Sequence, residues 1–301
     1  MTTRSFFITI IQALVLSLGL VGCAQSQKQF EEKSSWTSSF VSQLVGGQAM
    51  PDGVNNWSCR PRTGENPVVL VHGTFSSTMY SFGALGPRLA NEGLCVYAMD
   101  YGAQREHDWF KGVDAVDASA KTITQFIGLV KAATGSQKVT LVGHSQGGLL
   151  GFYSLKMLGA NRDVDRFVAL APSVNGTVIS KTPNRDKVEY CLACADQHPQ
   201  SDIMKRLQQG PVTMPGVEYH VLVTKNDKVV LPVEKQFVKE PGVNNLYIQD
   251  LLPGKRVSHS GMLYDSDTLA LIVKLDDMGL WLMQRTGAQY GAQLLRKLGW
   301  G

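Results

Sequence analysis

Short apolar runs punctuate the chain from Pro67 onward, and amphipathic stretches fill the gaps between them. Val68-Val69-Leu70-Val71 is the first run and ends at His72-Gly73; Leu94 to Met99, Lys138 to Val142, Phe167 to Leu170 and Tyr219 to Val223 follow, with Asn245 to Ile248 as a sixth. Unbroken apolar runs of this length fit strands buried on both faces, as in a parallel sheet. Between the second and third, Val116, Ala120, Ile123, Ile127 and Val130 recur at spacings of 4, 3, 4 and 3 residues. That is one face of a helix, stopped by Gly135. Leu85 and Leu89 with the closing Gly93 predict another helix, and Gly148 to Leu158 a third. Strands and helices alternate, so the expected fold class is α/β: a mostly parallel, doubly wound sheet with helices on both faces.

Other stretches break this alternation. Val174 to Pro215 is polar and carries Pro183, Pro199 and Pro211. It reads as an insertion over the sheet edge, either a lid or a plain long excursion. Beyond Asp276, Leu280, Leu282 and Leu294-Leu295 predict C-terminal helices. Ala24 to roughly Ala49 is rich in Ser, Gln and Lys, with scattered Trp36, Phe40 and Leu44. It reads as a tether leading into a short amphipathic piece.

Ahead of it, Phe6 to Val21 is a stretch of 16 almost wholly apolar residues. That is short for a membrane span and right for the core of a signal peptide. Gly22-Cys23 then resembles a bacterial lipobox, which implies cleavage between the two and a diacylated Cys23. An uncleaved anchor and a plain secretory signal are the rival readings. The expected division is a signal peptide over 1–22, a tether over 23–50 and one α/β domain over 51–301, with the insertion at about 174–215. The expected location is the cell envelope as a membrane-anchored lipoprotein, or else free secretion.

Export changes what the cysteines mean. Five are present, and setting Cys23 aside leaves Cys59, Cys95, Cys191 and Cys194 in an oxidising compartment. Four cysteines allow three pairings. Cys191 and Cys194 are close enough for a local loop, and Cys59 with Cys95 would then bridge the segments ahead of the first two strands. A redox or zinc reading of Cys191-Leu192-Ala193-Cys194 finds no second such pair and no His cluster nearby. The composition, 44% hydrophobic and 18% charged, is that of a globular protein. The net charge is only +4, with no Lys/Arg cluster that would point to nucleic acid. No carboxylate-rich loop suggests calcium and no loop cradles phosphate, so no metal or cofactor is expected, and the expected state is a monomer.

The chemistry concentrates at Gly143-His144-Ser145-Gln146-Gly147, a G-x-S-x-G pentapeptide framed by a strand pattern before it and a helix pattern after it. This is the context of a nucleophile elbow in an α/β-hydrolase. The serine sits on a strained strand-to-helix turn, and a side chain two residues away on either side would clash. A serine hydroxyl is a weak nucleophile at neutral pH and needs a histidine to take its proton. In this fold the order is Ser, then acid, then His. Of six histidines, only His198, His220 and His259 follow Ser145. His220 lies in a strand pattern and reads as a packed core residue. His198 precedes the acid candidates. His259, in a loop after the last strand pattern, is the expected base.

Asp227 directly follows the strand 219–223 and is the expected acid, with Glu234 and Asp250 as rivals. The oxyanion needs two backbone N–H donors. Gln146, after the nucleophile, supplies one. Thr74, with Phe75 in reserve, is expected to supply the other from the loop after the first strand, a turn that His72 shapes. Asp100, Asp114 and Asp117 read as loop and helix-start residues. Trp109 and Phe110 read as packing or as the border of an acyl pocket.

Beyond these motifs, Asn55-Asn56-Trp57-Ser58-Cys59, Asn91-Glu92-Gly93 with Cys95, Leu170-Ala171-Pro172 with Asn175-Gly176-Thr177, and Gln249-Asp250-Leu251 stand in order around the candidate triad. With them the chain resembles the class 2 triacylglycerol lipases of bacteria and, more distantly, the fungal B-type lipases, over roughly Asn55 to Asp265. The resemblance implies hydrolysis of lipid-like carboxylic esters through an acyl-enzyme. It also implies Ser145, Asp227 and His259 as triad and Thr74 with Gln146 as oxyanion donors. Members are usually freely secreted, and the apparent lipobox departs from that. Acyl transfer to a lipid or sterol is an alternative activity. A non-catalytic envelope binding protein is another, against which the intact Ser, Asp and His set argues.

Overall fold

The computed structural model describes residues 30–47, 49–103, 108–178 and 181–276. The apolar leader, Cys23 and the expected C-terminal helices beyond Asp276 lie outside the described residues. Along the chain come α1 (Trp36–Gly46), β1 (Val68–Val71), α2 (Thr78–Phe82), α3 (Leu85–Asn91), β2 (Val96–Ala98), α4 (Val116–Thr134), β3 (Val139–His144) and α5 (Gln146–Met157). Then follow β4 (Val164–Leu170), α6 (Leu192–Asp196), α7 (Asp202–Leu207), β5 (Glu218–Val223), β6 (Val243–Tyr247), α8 (Ile248–Leu251) and α9 (Ser266–Asp276).

The six strands form one sheet in the order β2-β1-β3-β4-β5-β6, and every pairing is parallel. Parallel neighbours need crossovers, and helices supply them except from β5 to β6, where the connection holds only a 3-10 turn, Val233–Gln236. Successive strand residues point to opposite faces, so each strand feeds two cores. Val69, Val71 and Leu141 join Ile123, Ile127 and Val130 of α4 and Leu149, Phe152 and Leu155 of α5 on one face. Val68, Leu70 and Val142 join Phe82, Leu85, Leu89, Leu269 and Ile272, from α2, α3 and α9, on the other. The continuous apolar runs thus do mark strands covered on both sides. The third helix begins at Gln146 rather than Gly148, because the turn after β3 leads straight into it. β2 is shorter than its apolar run, since Leu94 and Cys95 precede its ladder with β1.

The stretch from Val174 to Pro215 is docked on the first of these faces. Ala193, Cys194, Ile203, Met204 and Leu207 pack into the core shared with α4 and α5. Arg185 clamps it from outside, bonding Asp196 at 2.6 and 2.7 Å and Asp117 on α4 at 2.7 Å. From Phe30 the chain is also docked on the body. Arg88 pairs with both carboxylate oxygens of Glu32, and Trp36 stacks on Phe40 beside Tyr80. Cys59–Cys95 and Cys191–Cys194 are both disulfides.

The chain leaves β1 toward β2 and returns to add β3 on the other side, so the winding reverses between β1 and β3. In a parallel sheet the crevice at the carboxyl ends of such strands is where ligands bind. The loop after β1 and the turn after β3 both open there.

Candidate active site

Ser145 stands in that turn with φ 57° and ψ −119°. A non-glycine residue is strained at positive φ, and strain of this kind persists where the surroundings over-determine it. Here they do. A Cβ on Gly143 would sit 2.3 Å from the Gly147 carbonyl oxygen, and one on Gly147 would sit 2.1 Å from that of Val71. The two glycines let α5 start hard against the ends of β3 and β1, and this closeness lifts Ser145 to the sheet edge. The Ser145 N–H donates to the Leu170 carbonyl at 2.8 Å.

The loop after β1 lies over the serine. A Cβ on Gly73 would be 3.1 Å from Ser145 Cβ. Phe75 also has positive φ, 52°, and a bridge between Ser76 and Lys111 fixes the loop beyond it. Trp109 and Phe110, next to that bridge, are exposed. His72 anchors the loop from below. Its Nδ1 faces the Gly73 carbonyl at 2.9 Å and so carries the proton, while its Nε2 accepts the Tyr101 N–H at 3.4 Å. Burial lowers its pKa, and both nitrogens are engaged, so His72 shapes the turn and is no free base. The N–H groups of Thr74 and Gln146 belong to this loop and to the first turn of α5.

Asp227 follows β5 and is buried; His259, in the loop before α9, lies within reach. His259 Nδ1 and Asp227 Oδ2 are 2.6 Å apart. The other oxygen, Oδ1, accepts the N–H groups of Val229 and Val230 at 2.7 and 3.1 Å. Burial alone would raise the Asp227 pKa, but the hydrogen bond from His259 and those two N–H groups outweigh it and hold the carboxyl below its usual range. Among the described residues Ser145 Oγ and His259 Nε2 make no hydrogen bond, so the contact between the expected nucleophile and the expected base is open in this structure. Such contacts often tighten only when substrate binds.

The rival candidates are engaged elsewhere. Asp250 pairs with Lys225, and Glu234 is an exposed member of a single 3-10 turn. His220 is buried and bonded to Glu218 at 2.9 Å, and His198 Nδ1 accepts the Gln200 N–H inside the insertion. Asp114 caps its own turn, Asp100 accepts the Thr78 N–H at the start of α2, and Asp117 holds Arg185.

The structure adds His144, to which the sequence attached no role. Its Nε2 lies 3.0 Å from the His259 carbonyl and must donate, since a carbonyl only accepts. The two rings lie 4.7 Å apart. Burial, then the charge of His259, push the His144 pKa down to about 3, so it stays neutral. A histidine closing the strand directly before Ser145 was the visible signal. An open cavity of about 390 Å³ abuts His259 between Asn226 and the Arg256–Ser260 loop. A larger one of about 860 Å³, over Asn184 and Arg206 on the insertion, is lined by none of these residues. Among the described residues no His/Cys/Asp/Glu group could hold a metal ion, and no helix is long and apolar enough to cross a membrane.

A family model for class 2 lipases matches residues 65–260, which include Thr74, Ser145, Gln146, Asp227 and His259. The chain belongs to the class 2 lipase family. Solved structures agree with its fold. Lipase B of Aspergillus fumigatus matches 74% of this chain at 20% identity with a TM-score of 0.59, and the chain spans 54% of that protein. A Bacillus licheniformis lipase in its mature form matches 72% at 16% identity with a TM-score of 0.56, and 94% of it is covered. Both likenesses speak to the α/β-hydrolase fold.

Proposed function

We propose that this protein is an exported carboxylic ester hydrolase, a lipase or carboxylesterase, that cleaves acylglycerol-like esters through an acyl-enzyme. Family membership supports the reaction class. The observation that carries the residue assignment is the 2.6 Å Asp227–His259 pair on the sheet edge that also carries the strained Ser145. Ser145 Oγ attacks the ester carbonyl carbon as His259 Nε2 takes its proton. The Asp227 carboxylate holds the ring in the tautomer that keeps Nε2 bare and stabilises the imidazolium that forms. The N–H groups of Thr74 and Gln146 receive the negative oxygen of the tetrahedral intermediate. His259 returns the proton to the leaving alcohol, and water, activated by the same ring, releases the acid and restores Ser145.

Ser145→Ala should lower kcat on a p-nitrophenyl acyl ester by about 10⁶-fold. A fluorophosphonate probe should label the native protein at Ser145 by mass mapping. Turnover at the native rate in the variant, or label on another residue, would refute the assignment.

Two disulfides fit folding in an oxidising compartment. With the apolar leader and Gly22-Cys23 they support a lipoprotein anchored in the cell envelope through Cys23. Fractionation of cells should find the protein in membranes and Cys23→Ser in the soluble fraction; retention of the variant would count against the anchor.

A further inference from the structure

One side chain of the insertion reaches the oxyanion loop. Gln197, directly after α6, is fully buried. Its Nε2 donates to Thr74 Oγ1 at 2.9 Å and to the Ala193 carbonyl at 3.1 Å, and its Oε1 accepts from Ser173 Oγ at 2.8 Å. The Ala193 carbonyl can only accept, so the nitrogen must face it and the amide has one orientation. Ser173 in turn donates its N–H to the Ser145 carbonyl at 3.3 Å. The Gln197 carbonyl accepts the Thr177 N–H at 2.8 Å, which pins the backbone as well. A circuit thus runs from the backbone of Ser145 through Ser173 and Gln197 to the Thr74 hydroxyl. α6, which presents Gln197, is stapled at its start by Cys191–Cys194.

We propose that Gln197 is a positioning residue of the hydrolysis, filling the acceptor side of the Thr74 hydroxyl and leaving its proton for the oxyanion. A hydroxyl has one proton to give. With an N–H delivered to Thr74 Oγ1, and no other partner for it among the described residues, that proton is left unused, one residue beyond the Gly73 that lies against Ser145. The insertion then takes part in the chemistry by aiming an oxyanion donor. This rests on the reading of Thr74 as a member of the oxyanion hole.

The test compares Gln197→Leu, Thr74→Val, Thr74→Ser and the Leu/Val double variant on p-nitrophenyl butyrate, with Ser145→Ala as control and a melting curve for each. Gln197→Leu and Thr74→Val should each lower kcat about tenfold with KM within about twofold of native, since the donor acts on the transition state. Inhibition by phenylboronic acid, a tetrahedral mimic, should weaken in parallel. The double variant should fall no more than about twofold below Thr74→Val, because both changes remove one shared interaction. Thr74→Ser keeps the hydroxyl and should lose clearly less kcat than Thr74→Val. If Gln197→Leu does not fold, Gln197→Glu retains the acceptor for Ser173 but not the donor for Thr74, and the same loss is expected. Native kcat in the Gln197 variant, or losses that multiply in the double variant, would overturn the proposal. Native kcat in Thr74→Val with a dead Ser145→Ala would sink it and leave ester hydrolysis standing. An active Ser145→Ala would sink the underlying reading itself.

Discussion

β5 carries a histidine–carboxylate pair at each end. At its start Glu218 bonds His220 at 2.9 Å, and after its finish Asp227 bonds His259 at 2.6 Å. All four residues have low exposure or are buried, and both carboxylates are held below their usual range. The pairs differ in what surrounds them. His220 has its second nitrogen against the Asn244 amide at 3.3 Å, and Glu218 is shared with Arg166 at 3.1 Å. Both rings are therefore in polar networks, but His259 keeps Nε2 without a hydrogen bond among the described residues, at the edge where Ser145 is lifted out. A hydrogen-bonded pair is a structural tie at the amino ends of parallel strands. At their carboxyl ends, beside Ser145 and helix N–H groups, a pair of the same chemistry is the one the proposed mechanism uses.

The largest test of that contrast is Asp227→Asn. The N–H groups of Val229 and Val230 need an acceptor, so the amide oxygen takes the place of Oδ1 and the NH2 group turns to His259. The ring must then accept at Nδ1 and carry its proton on Nε2, the wrong tautomer for receiving one from Ser145. A loss of about 10⁴-fold in kcat is expected, with folding retained, because the geometry is nearly unchanged. Steady-state kinetics with a melting curve checks this. A loss under about tenfold would place the acid elsewhere and erase the distinction between the two pairs.

Much of this architecture was legible because it is local. The apolar runs marked the strands, the spacing of Val116 to Val130 marked α4, and Gly143 and Gly147 announced a turn that tolerates no Cβ on either side. The Asp227–His259 pair could be reached from chain order together with the strand patterns around it. What sequence could not show were ties between distant residues. His144 meets the His259 carbonyl across 115 positions, and Gln197 meets Thr74 across 123. No periodicity records a single hydrogen bond of that span. The polarity of the insertion likewise concealed how Ile203, Met204 and Leu207 bury themselves, since those few apolar residues lie on short helices with little pattern of their own.

The smallest expected effect on catalysis comes from the other end of β5. Glu218→Gln should leave kcat unchanged, because nothing at the carboxyl edge depends on it. It should change acid stability. His220 is the chief partner that holds Glu218 at about 2, against an ordinary value of 4.5, with Arg166 adding to it and burial opposing. A carboxyl with a depressed folded-state pKa stabilises the fold fully above its unfolded value and loses that contribution as pH falls through the folded one. The native protein should therefore be more stable than the variant above about pH 5 and should converge on it between pH 4.5 and about 2. Melting curves of both proteins over that range measure it. Parallel curves would mean that the Glu218–His220 tie contributes nothing to the fold, and a fall in kcat would mean that the two ends of β5 are coupled.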